Sequence, residues 1–202
     1  MPVRSIATGT DAFTLALAQL KGIDVRPEFE VDEAPAPQRL APSAVALTAE
    51  MSDPESDAAS GRFVLLHDPD GVEEWCGSFR AVVFVRAALE QDLVDDPMLH
   101  DVGWSWVTEC LAARGCRATQ LGGTVTRTSG RSFGTMGERP SDGFVEIRAS
   151  WTPVEAPDTG EVLDDLAQHA SAWVDLLATA AGLPPLPHGV AHVGTRRRRA
   201  RT

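Results

Sequence analysis

The sequence predicts an α+β domain in which an antiparallel sheet of about five or six strands carries two or three helices, packed mainly on one face. Four strand-like segments follow one another between residues 28 and 89 with no helical segment among them. Such a run favours antiparallel pairing over a parallel sheet with crossover helices. A later pair of strand-like segments and three segments with helical apolar spacing complete the pattern. The predicted order along the chain is therefore α, β, β, β, β, α, β, β, α.

The first quarter of the chain predicts one helix and two strands. Apolar side chains recur at helical spacing over residues 11–21, and Gly22 is a typical residue to end that helix. Apolar and acidic side chains then alternate over residues 28–32, which indicates a half-exposed strand. Two prolines shortly after it place this strand near an edge of the sheet. SAVALTAEM, residues 43–51, follows as the second strand.

The centre of the chain predicts a hairpin. RFVLLH (residues 62–67) and VEEWCGSFRAVVFVRAAL (residues 72–89) are separated by DPDG, whose proline suits the first central position of a type I turn. From residue 79 to residue 89 the second segment is apolar on both faces except for Arg80 and Arg86. A strand with this pattern is covered on both sides, so it is predicted to lie in the middle of the sheet.

A second helix and a second hairpin are predicted after this strand. Asp96 and Pro97 are suited to cap and begin the helix, and Gly115 ends it. Residues 122–134 then pair with GFVEIRASW, residues 143–151. The side chains that form the apolar stripe of the helix, and so face the sheet, are Leu99, Val102, Gly103, Trp106, Cys110 and Ala113.

The last helix is predicted over roughly residues 161 to 181, where a glycine and two prolines stop it. Its apolar stripe includes Trp173, while Trp151 lies at an inward position of the preceding strand and Trp106 on the stripe of the second helix. We expect these three tryptophans to be buried in the same core, because large aromatic side chains on inward positions carry much of the apolar area that a domain buries.

Residues 10–186 are interpreted as a single domain and residues 187–202 as a disordered basic tail. The tail ends in RRRRART, a run of like charge beside prolines with no apolar stripe. The whole chain has 202 residues and a net charge of −11. Leaving out the five arginines of the terminal run leaves 13 basic against 29 acidic side chains, and hence −16 for residues 1–195. A body this negative disfavours nucleic acid and anionic lipid as partners.

The cysteines and the hydropathy of the chain indicate the cellular compartment in which the protein is expected. Cys76, Cys110 and Cys116 form an odd set with no CxxC spacing, which is typical of a reducing compartment. The amino-terminal apolar run is short and interrupted, unlike a signal peptide. No stretch approaches the ~18 uninterrupted apolar residues of a membrane helix. We therefore expect a cytoplasmic protein with no membrane association.

The segment GGTVTRTSGRSFG, residues 122–134, is the candidate site. In an extended strand its threonines point one way, while Val125, Arg127 and Ser129 point the other way, so neither side resembles ordinary core. Hydroxyl donors beside guanidinium groups suit a carboxylate or phosphate. The alternative is a β-branched edge strand whose arginines and serines face water. The candidate anion-binding residues are Thr124, Thr126, Arg127, Thr128, Ser129 and Arg131, and a positive pocket would further need Arg80, Arg86 or Arg148.

Motifs that carry catalysis or cofactor binding are absent from the sequence. There is no GxGxxG or Walker loop for a nucleotide, no GxSxG elbow and no HExxH pair. His100 stands beside Asp101 but has no second histidine at i+4 to complete a metal site. We expect no metal and no cofactor, and whether the protein is an enzyme stays open at this stage.

Three segments resemble one known family. FRAVVFVRAALEQDLVDDPMLHDVGWSWV, LGGTVTRTSGRSFG and EIRASWTP are similar to an uncharacterised actinobacterial family, the domain of unknown function numbered three thousand. The resemblance covers most of residues 10–186 and leaves the arginine-rich tail outside. It implies a cytoplasmic protein from a high-GC bacterium and supplies no activity, ligand or catalytic residue.

Two hypotheses of function follow. The first is a non-enzymatic binding module for a protein partner or for self-association, with Trp104 and Leu111 as interface candidates, because they lie seven residues apart and off the sheet-facing stripe. The alternative for these two side chains is a covering second layer. The second hypothesis is an enzyme or sensor for a small anionic metabolite that uses the strand of residues 122–134.

Overall fold

The structure, a computed structural model, describes residues 9–53, 58–90, 92–136, 142–154 and 166–185. The predicted start of the last helix at residue 161 and the predicted tail of residues 187–202 lie outside the described residues. Within them the chain forms α1 (Gly9–Leu20), β1 (Phe29–Ala34), β2 (Ser43–Met51), β3 (Ala59–Val72), β4 (Gly77–Ala88), α2 (Leu99–Ala113), β5 (Ala118–Gly130), β6 (Asp142–Pro153) and α3 (Leu166–Ala180).

The six strands form one antiparallel sheet in the order β1-β2-β3-β4-β6-β5. The predicted α+β class is thereby confirmed, and β4 lies in the interior of the sheet between β3 and β6, as predicted. The predicted cover on both sides of β4 is wrong, because buried side chains alternate with partly buried or exposed ones along the strand. The predicted pairing of β5 with β6 is also confirmed. The chain inserts β6 between β4 and β5, so that β5 becomes an edge strand.

The hairpin of β3 and β4 reverses direction later than the sequence predicts. DPDG, residues 68–71, continues β3, and Val72 pairs with Gly77. The reversal occurs in a 3₁₀ turn, Glu73–Trp75, and at Cys76, whose φ of 53° is left-handed. The turn chemistry of DPDG is still used, because Asp68 Oδ1 accepts a hydrogen bond from the Asp70 amide at 3.1 Å. DPDG therefore produces a register shift between His67 and Val72 and does not reverse the chain.

All three helices pack against the same face of the sheet. α3 lies across β3, β4 and β6, α1 contacts α3 and β3, and α2 contacts α3, β5 and β6. β3 makes room for α3 at Gly61, where a Cβ atom would lie 2.9 Å from Trp173 Nε1. The strand side chains that this face buries include Phe63, Leu65, Phe79, Val83, Val85, Val145, Ile147 and Trp151.

Two of the three core tryptophans are buried as predicted. Trp151 is 1% exposed and Trp173 is fully buried, and Trp151 Nε1 donates a hydrogen bond to His169 Nδ1 at 3.0 Å. Trp106 is only partly buried, which corrects the predicted helix stripe. Gly103 lies directly over Ile147 and Val125, so the residue one turn on that faces the sheet is Val107 rather than Trp106.

The opposite face of the sheet carries no described helix. A small second cluster lies there, in which Ala46, Val64 and Leu66 are buried against Trp75 and Val82. The remainder of this face, over β3, β4, β6 and β5, carries polar, charged and aromatic side chains. Among the residues that the structure describes, no helix is long and apolar enough to cross a membrane.

Candidate functional site

Arginine side chains from three strands lie together on the face of the sheet that the helices leave uncovered. Strand register sets two adjacent rows across β3, β4, β6 and β5. In one row Arg62 pairs with Phe84, and Phe84 pairs with Arg148. In the next row Arg86 is opposite Glu146. We call the following set the arginine face: Arg62, Phe84, Arg86, Phe144, Glu146 and Arg148, with the neighbouring threonines Thr124 and Thr126 of β5.

Two of these arginines stack on aromatic rings. The guanidinium carbon of Arg86 lies 3.8 Å from the centroid of the Phe144 ring, and that of Arg148 lies 5.3 Å from the centroid of Phe84. A guanidinium over an aromatic ring keeps N–H groups that the ring does not use, and these can match the two oxygens of a carboxylate. Arg86 is exposed and the side chain of Arg148 is 59% exposed. Both groups are therefore oriented and accessible before any partner binds.

Charge on the arginine face is only partly compensated. Arg148 Nη2 donates to Glu146 Oε2 at 2.8 Å, and the Glu146 side chain is only 16% exposed. No other described residue forms an ion pair with Arg62, Arg86 or Arg148. Arg62 Nη2 donates instead to the carbonyl of Pro35, just after β1, and Glu30, Asp32 and Glu50 lie on the same face in β1 and β2. The positive part of this surface is therefore the pair Arg86 and Arg148, which share one carboxylate in a chain whose net charge is −11.

The anion-binding residues proposed from the sequence are divided between the two faces of the sheet. Thr124, Thr126 and Thr128 are exposed on the uncovered face, beside the arginine face. Arg127 points to the helix side, where its Nη1 donates to the Asp96 carbonyl at 2.6 Å and fixes the turn before α2. Strand alternation produces this division, because neighbouring residues of β5 point to opposite sides.

The last two residues of that set also lie apart from the threonines. Ser129 is exposed, on the same side of β5 as Arg127. Arg131 follows the end of β5, with its guanidinium 5.8 Å from the Phe133 ring. The structure therefore pairs Thr124 with Arg148 and Thr126 with Glu146, and it leaves these threonines on the opposite side of β5 from Arg127.

Sequence reasoning missed Arg62 and did not place Arg86 and Arg148 together. One pattern in the sequence could have helped. Arg80 and Arg86 are six positions apart in one strand, and an even spacing puts both side chains on the same face. The order in which β3, β4 and β6 are neighbours was not encoded in any local pattern, and that order is what assembles the site.

The two interface candidates on α2 both contribute to packing. Leu111 is 5% exposed and belongs to the main core. Trp104 is partly buried, and a Cβ atom at Gly123 of β5 would lie 2.9 Å from Trp104 Cζ3. Gly123 is thus a close-approach position for the indole. β5 covers Trp104 and the main core covers Leu111, so a covering second layer, the alternative to an interface, is present for both.

Catalytic groups are sparse in the part of the chain that the structure describes. It contains no group of three or more His, Cys, Asp or Glu side chains that could hold a metal ion. Cys110 is buried, and burial raises the pKa of its thiol to about 11, so it stays protonated near neutral pH. Cys76 is exposed at the tip of the β3–β4 hairpin.

Comparison with known proteins gives a family and no activity. The family model described as "Protein of unknown function (DUF3000)" matches residues 9–191. The chain belongs to the DUF3000 family. No curated protein and no solved structure matches it. The function of this DUF3000 protein must therefore be argued from its own side chains.

Proposed function

We propose that this DUF3000 protein is a non-enzymatic, cytoplasmic binding module whose arginine face receives an acidic surface of a partner protein. One observation carries the proposal: Arg86 and Arg148 are accessible, stacked on Phe144 and Phe84, and compensated by a single carboxylate. Arginine and aromatic residues are enriched where protein partners bind. The cytoplasmic placement is supported by the three cysteines, none of which forms a disulfide.

A protein partner fits this face better than nucleic acid does. A net charge of −11 repels a polyanion at long range, whereas an acidic patch on a protein adds only a few charges at short range. Glu146, held between the arginines, would also oppose a continuous phosphate backbone. A carboxylate, in contrast, can take a bidentate pair of hydrogen bonds from a stacked guanidinium.

Self-association through the arginine face is disfavoured. A twofold dimer uses the same patch on both copies, so a dimer whose axis passes through Arg86 and Arg148 would bring the arginines of the two copies together. Like charges brought together in an interface cost several kcal/mol. The occupant is therefore a different, acidic surface.

The alternative hypothesis, an enzyme or sensor for a small anionic metabolite along residues 122–134, has less support. It needed Arg127 and Arg131 on one wall with the threonines. Arg127 is instead bonded to the Asp96 carbonyl on the helix side of the sheet. The threonines that remain provide hydroxyl groups without a guanidinium of their own strand.

A charge-reversal experiment tests the proposal. The probe is a synthetic peptide of eight glutamates, and its affinity is measured by isothermal titration calorimetry at ~150 mM salt, where long-range attraction is largely screened. The Arg86→Glu/Arg148→Glu double variant should bind at least about tenfold more weakly than the native chain, since it loses two charge-assisted contacts.

The matched control carries the same change in charge away from the arginine face. Lys21→Glu/Arg117→Glu alters two exposed side chains, one directly after α1 and one directly before β5. It should retain the native affinity. Equal losses in both double variants would reduce the effect to net charge and overturn the proposal. Tighter binding of an eight-residue oligothymidylate than of the peptide would instead assign the face to nucleic acid.

A further inference from the structure

Arg80 also lies on the uncovered face of the sheet, but its guanidinium has different neighbours from those of the arginine face. It is half-buried near the start of β4, where its Nη1 donates to the Gln120 carbonyl at 3.0 Å and to Thr152 Oγ1 at 3.2 Å. Its Nη2 donates to Ser150 Oγ at 2.7 Å. Three hydrogen bonds hold the guanidinium between β4, β6 and the beginning of β5.

The acceptors of Arg80 are all neutral. Among the described residues no carboxylate forms an ion pair with it, and burial lowers the pKa of its guanidinium. Charges that are partly withdrawn from water are often paired, and the guanidinium of Arg80, which is part-buried rather than buried, has only neutral partners and water. Arg26 shows the usual arrangement, since it is buried but pairs with Glu28 at 3.2 Å.

Further donors and open space lie beside Arg80. The hydroxyl of Ser150 accepts from Arg80, so its own proton can be donated to a ligand. One amide proton of Gln120 Nε2 is directed to Cys76 Sγ at 3.2 Å, and a second proton remains on that nitrogen. Gly122 pairs with Ser150, and a Cβ atom there would meet nothing within 4 Å. A small group can therefore approach these donors.

The backbone around Arg80 is held in an unfavourable conformation. Gln120 has a φ of 51° and Cys76 a φ of 53°, both left-handed. The left-handed residue Gln120 lies within a register shift between Thr119 and Gly122. Its carbonyl accepts the hydrogen bond from the Arg80 guanidinium. The strain fixes the position of the cation.

We infer that Arg80, Ser150 and Gln120 form a binding site for a small oxyanion, the carboxylate or phosphate group of a metabolite. Arg80 supplies the charge, and Ser150 and Gln120 supply neutral donors. Arg80 precedes Phe84 by four residues, about 13 Å along β4 at ~3.3 Å per residue, while Ser150 lies two residues from Arg148 on β6. The site therefore adjoins the arginine face without sharing a residue with it. It does not depend on a protein partner.

The test is a titration of the full chain, labelled with ¹⁵N, in which the Nε–H resonance of Arg80 is followed. Sodium phosphate and sodium acetate are the two probes, each added up to about 10 mM, ten times a millimolar dissociation constant, with sodium chloride holding the ionic strength constant. A saturable shift with phosphate, with acetate or with both is the expected result. The probe that saturates at the lower concentration identifies the oxyanion.

Variants separate binding from structural support. Arg80→Lys keeps the charge but loses the planar fork and the Arg80 resonance. Binding in this variant is therefore read from the side-chain amide resonance of Gln120, followed in the native chain for comparison, and it should be at least about tenfold weaker. Ser150→Ala removes one donor and should weaken binding severalfold, in the range of one lost hydrogen bond. The control Arg26→Lys alters a buried arginine that already has its carboxylate, and it should leave the titration unchanged.

Two results would overturn the inference. One is a native chain whose Arg80 resonance does not respond to either probe. The other is an unchanged titration in Arg80→Lys or Ser150→Ala. Should Arg80→Lys fail to fold, the native titration and Ser150→Ala still decide. The arginine-face experiment uses Arg86 and Arg148, so either proposal can fail alone.

Discussion

Replacing Gly61 with alanine should destabilise the protein, because α3 approaches β3 most closely at this glycine. The new Cβ atom would lie 2.9 Å from Trp173 Nε1 and 3.1 Å from the Phe84 carbonyl. These two atoms are themselves joined by a hydrogen bond of 3.4 Å. The methyl group therefore overpacks the core, at about 1–3 kcal/mol, and separates a buried donor from its acceptor, at about 0.5–1.5 kcal/mol. Together we expect a loss of about 2–4 kcal/mol in the free energy of unfolding.

Urea denaturation followed by circular dichroism and tryptophan fluorescence measures this loss. In a domain of this size the same change lowers the melting temperature by roughly 4–16 °C. The control is Gly122→Ala, on β5, where a Cβ atom meets nothing within 4 Å and the expected change is no more than about 0.5 kcal/mol destabilising. A Gly61→Ala protein as stable as the native chain would refute the packing of Trp173 against β3.

Two further predictions concern the core. Trp173→Ala should cost about 3–5 kcal/mol, and Trp106→Ala clearly less, because Trp106 is only partly buried; equal losses in urea denaturation would restore Trp106 to the sheet-facing stripe. Iodoacetamide at about pH 8 should label exposed Cys76 in the folded protein and leave Cys110 unlabelled until denaturant is added, since burial raises the pKa of Cys110 to about 11 and thiolate is the reactive form. Peptide mass mapping reads out the order of labelling, and early labelling of Cys110 would contradict its burial.

Local sequence patterns predicted the elements well, because each depends on nearby residues. The two apolar faces of β4 placed it inside the sheet, and its neighbours confirm this. The position of the turn was less predictable. Asp68 and Asp70 form a local hydrogen bond within DPDG, but the strands stay paired as far as Val72 and Gly77, so the chain reverses at Cys76 instead. Pairing over the whole strand outweighed the preference of one tetrapeptide.

The candidate site was harder to predict than the fold. Alternation along β5 correctly separated Thr124 from Arg127, but it could not say which side the helices would cover. The arginine face requires β6 to lie between β4 and β5, so that Arg148 stacks on Phe84 of the next strand. Strand order depends on contacts between distant segments, and no short pattern in the sequence contains it.

Binding of an acidic surface to the arginine face is tested most directly by the response of individual arginine side chains to an acidic probe. The Nε–H resonances of Arg86 and Arg148 are followed in the ¹⁵N-labelled chain while the peptide of eight glutamates is added at ~150 mM salt. We expect saturable chemical-shift changes at these two arginines. We expect none at Arg114, because its guanidinium is already paired with Asp175 at 2.6 Å and with Asp24 at 3.0 Å. Shifts confined to other arginines, or no saturable shift at Arg86 and Arg148, would contradict the proposal.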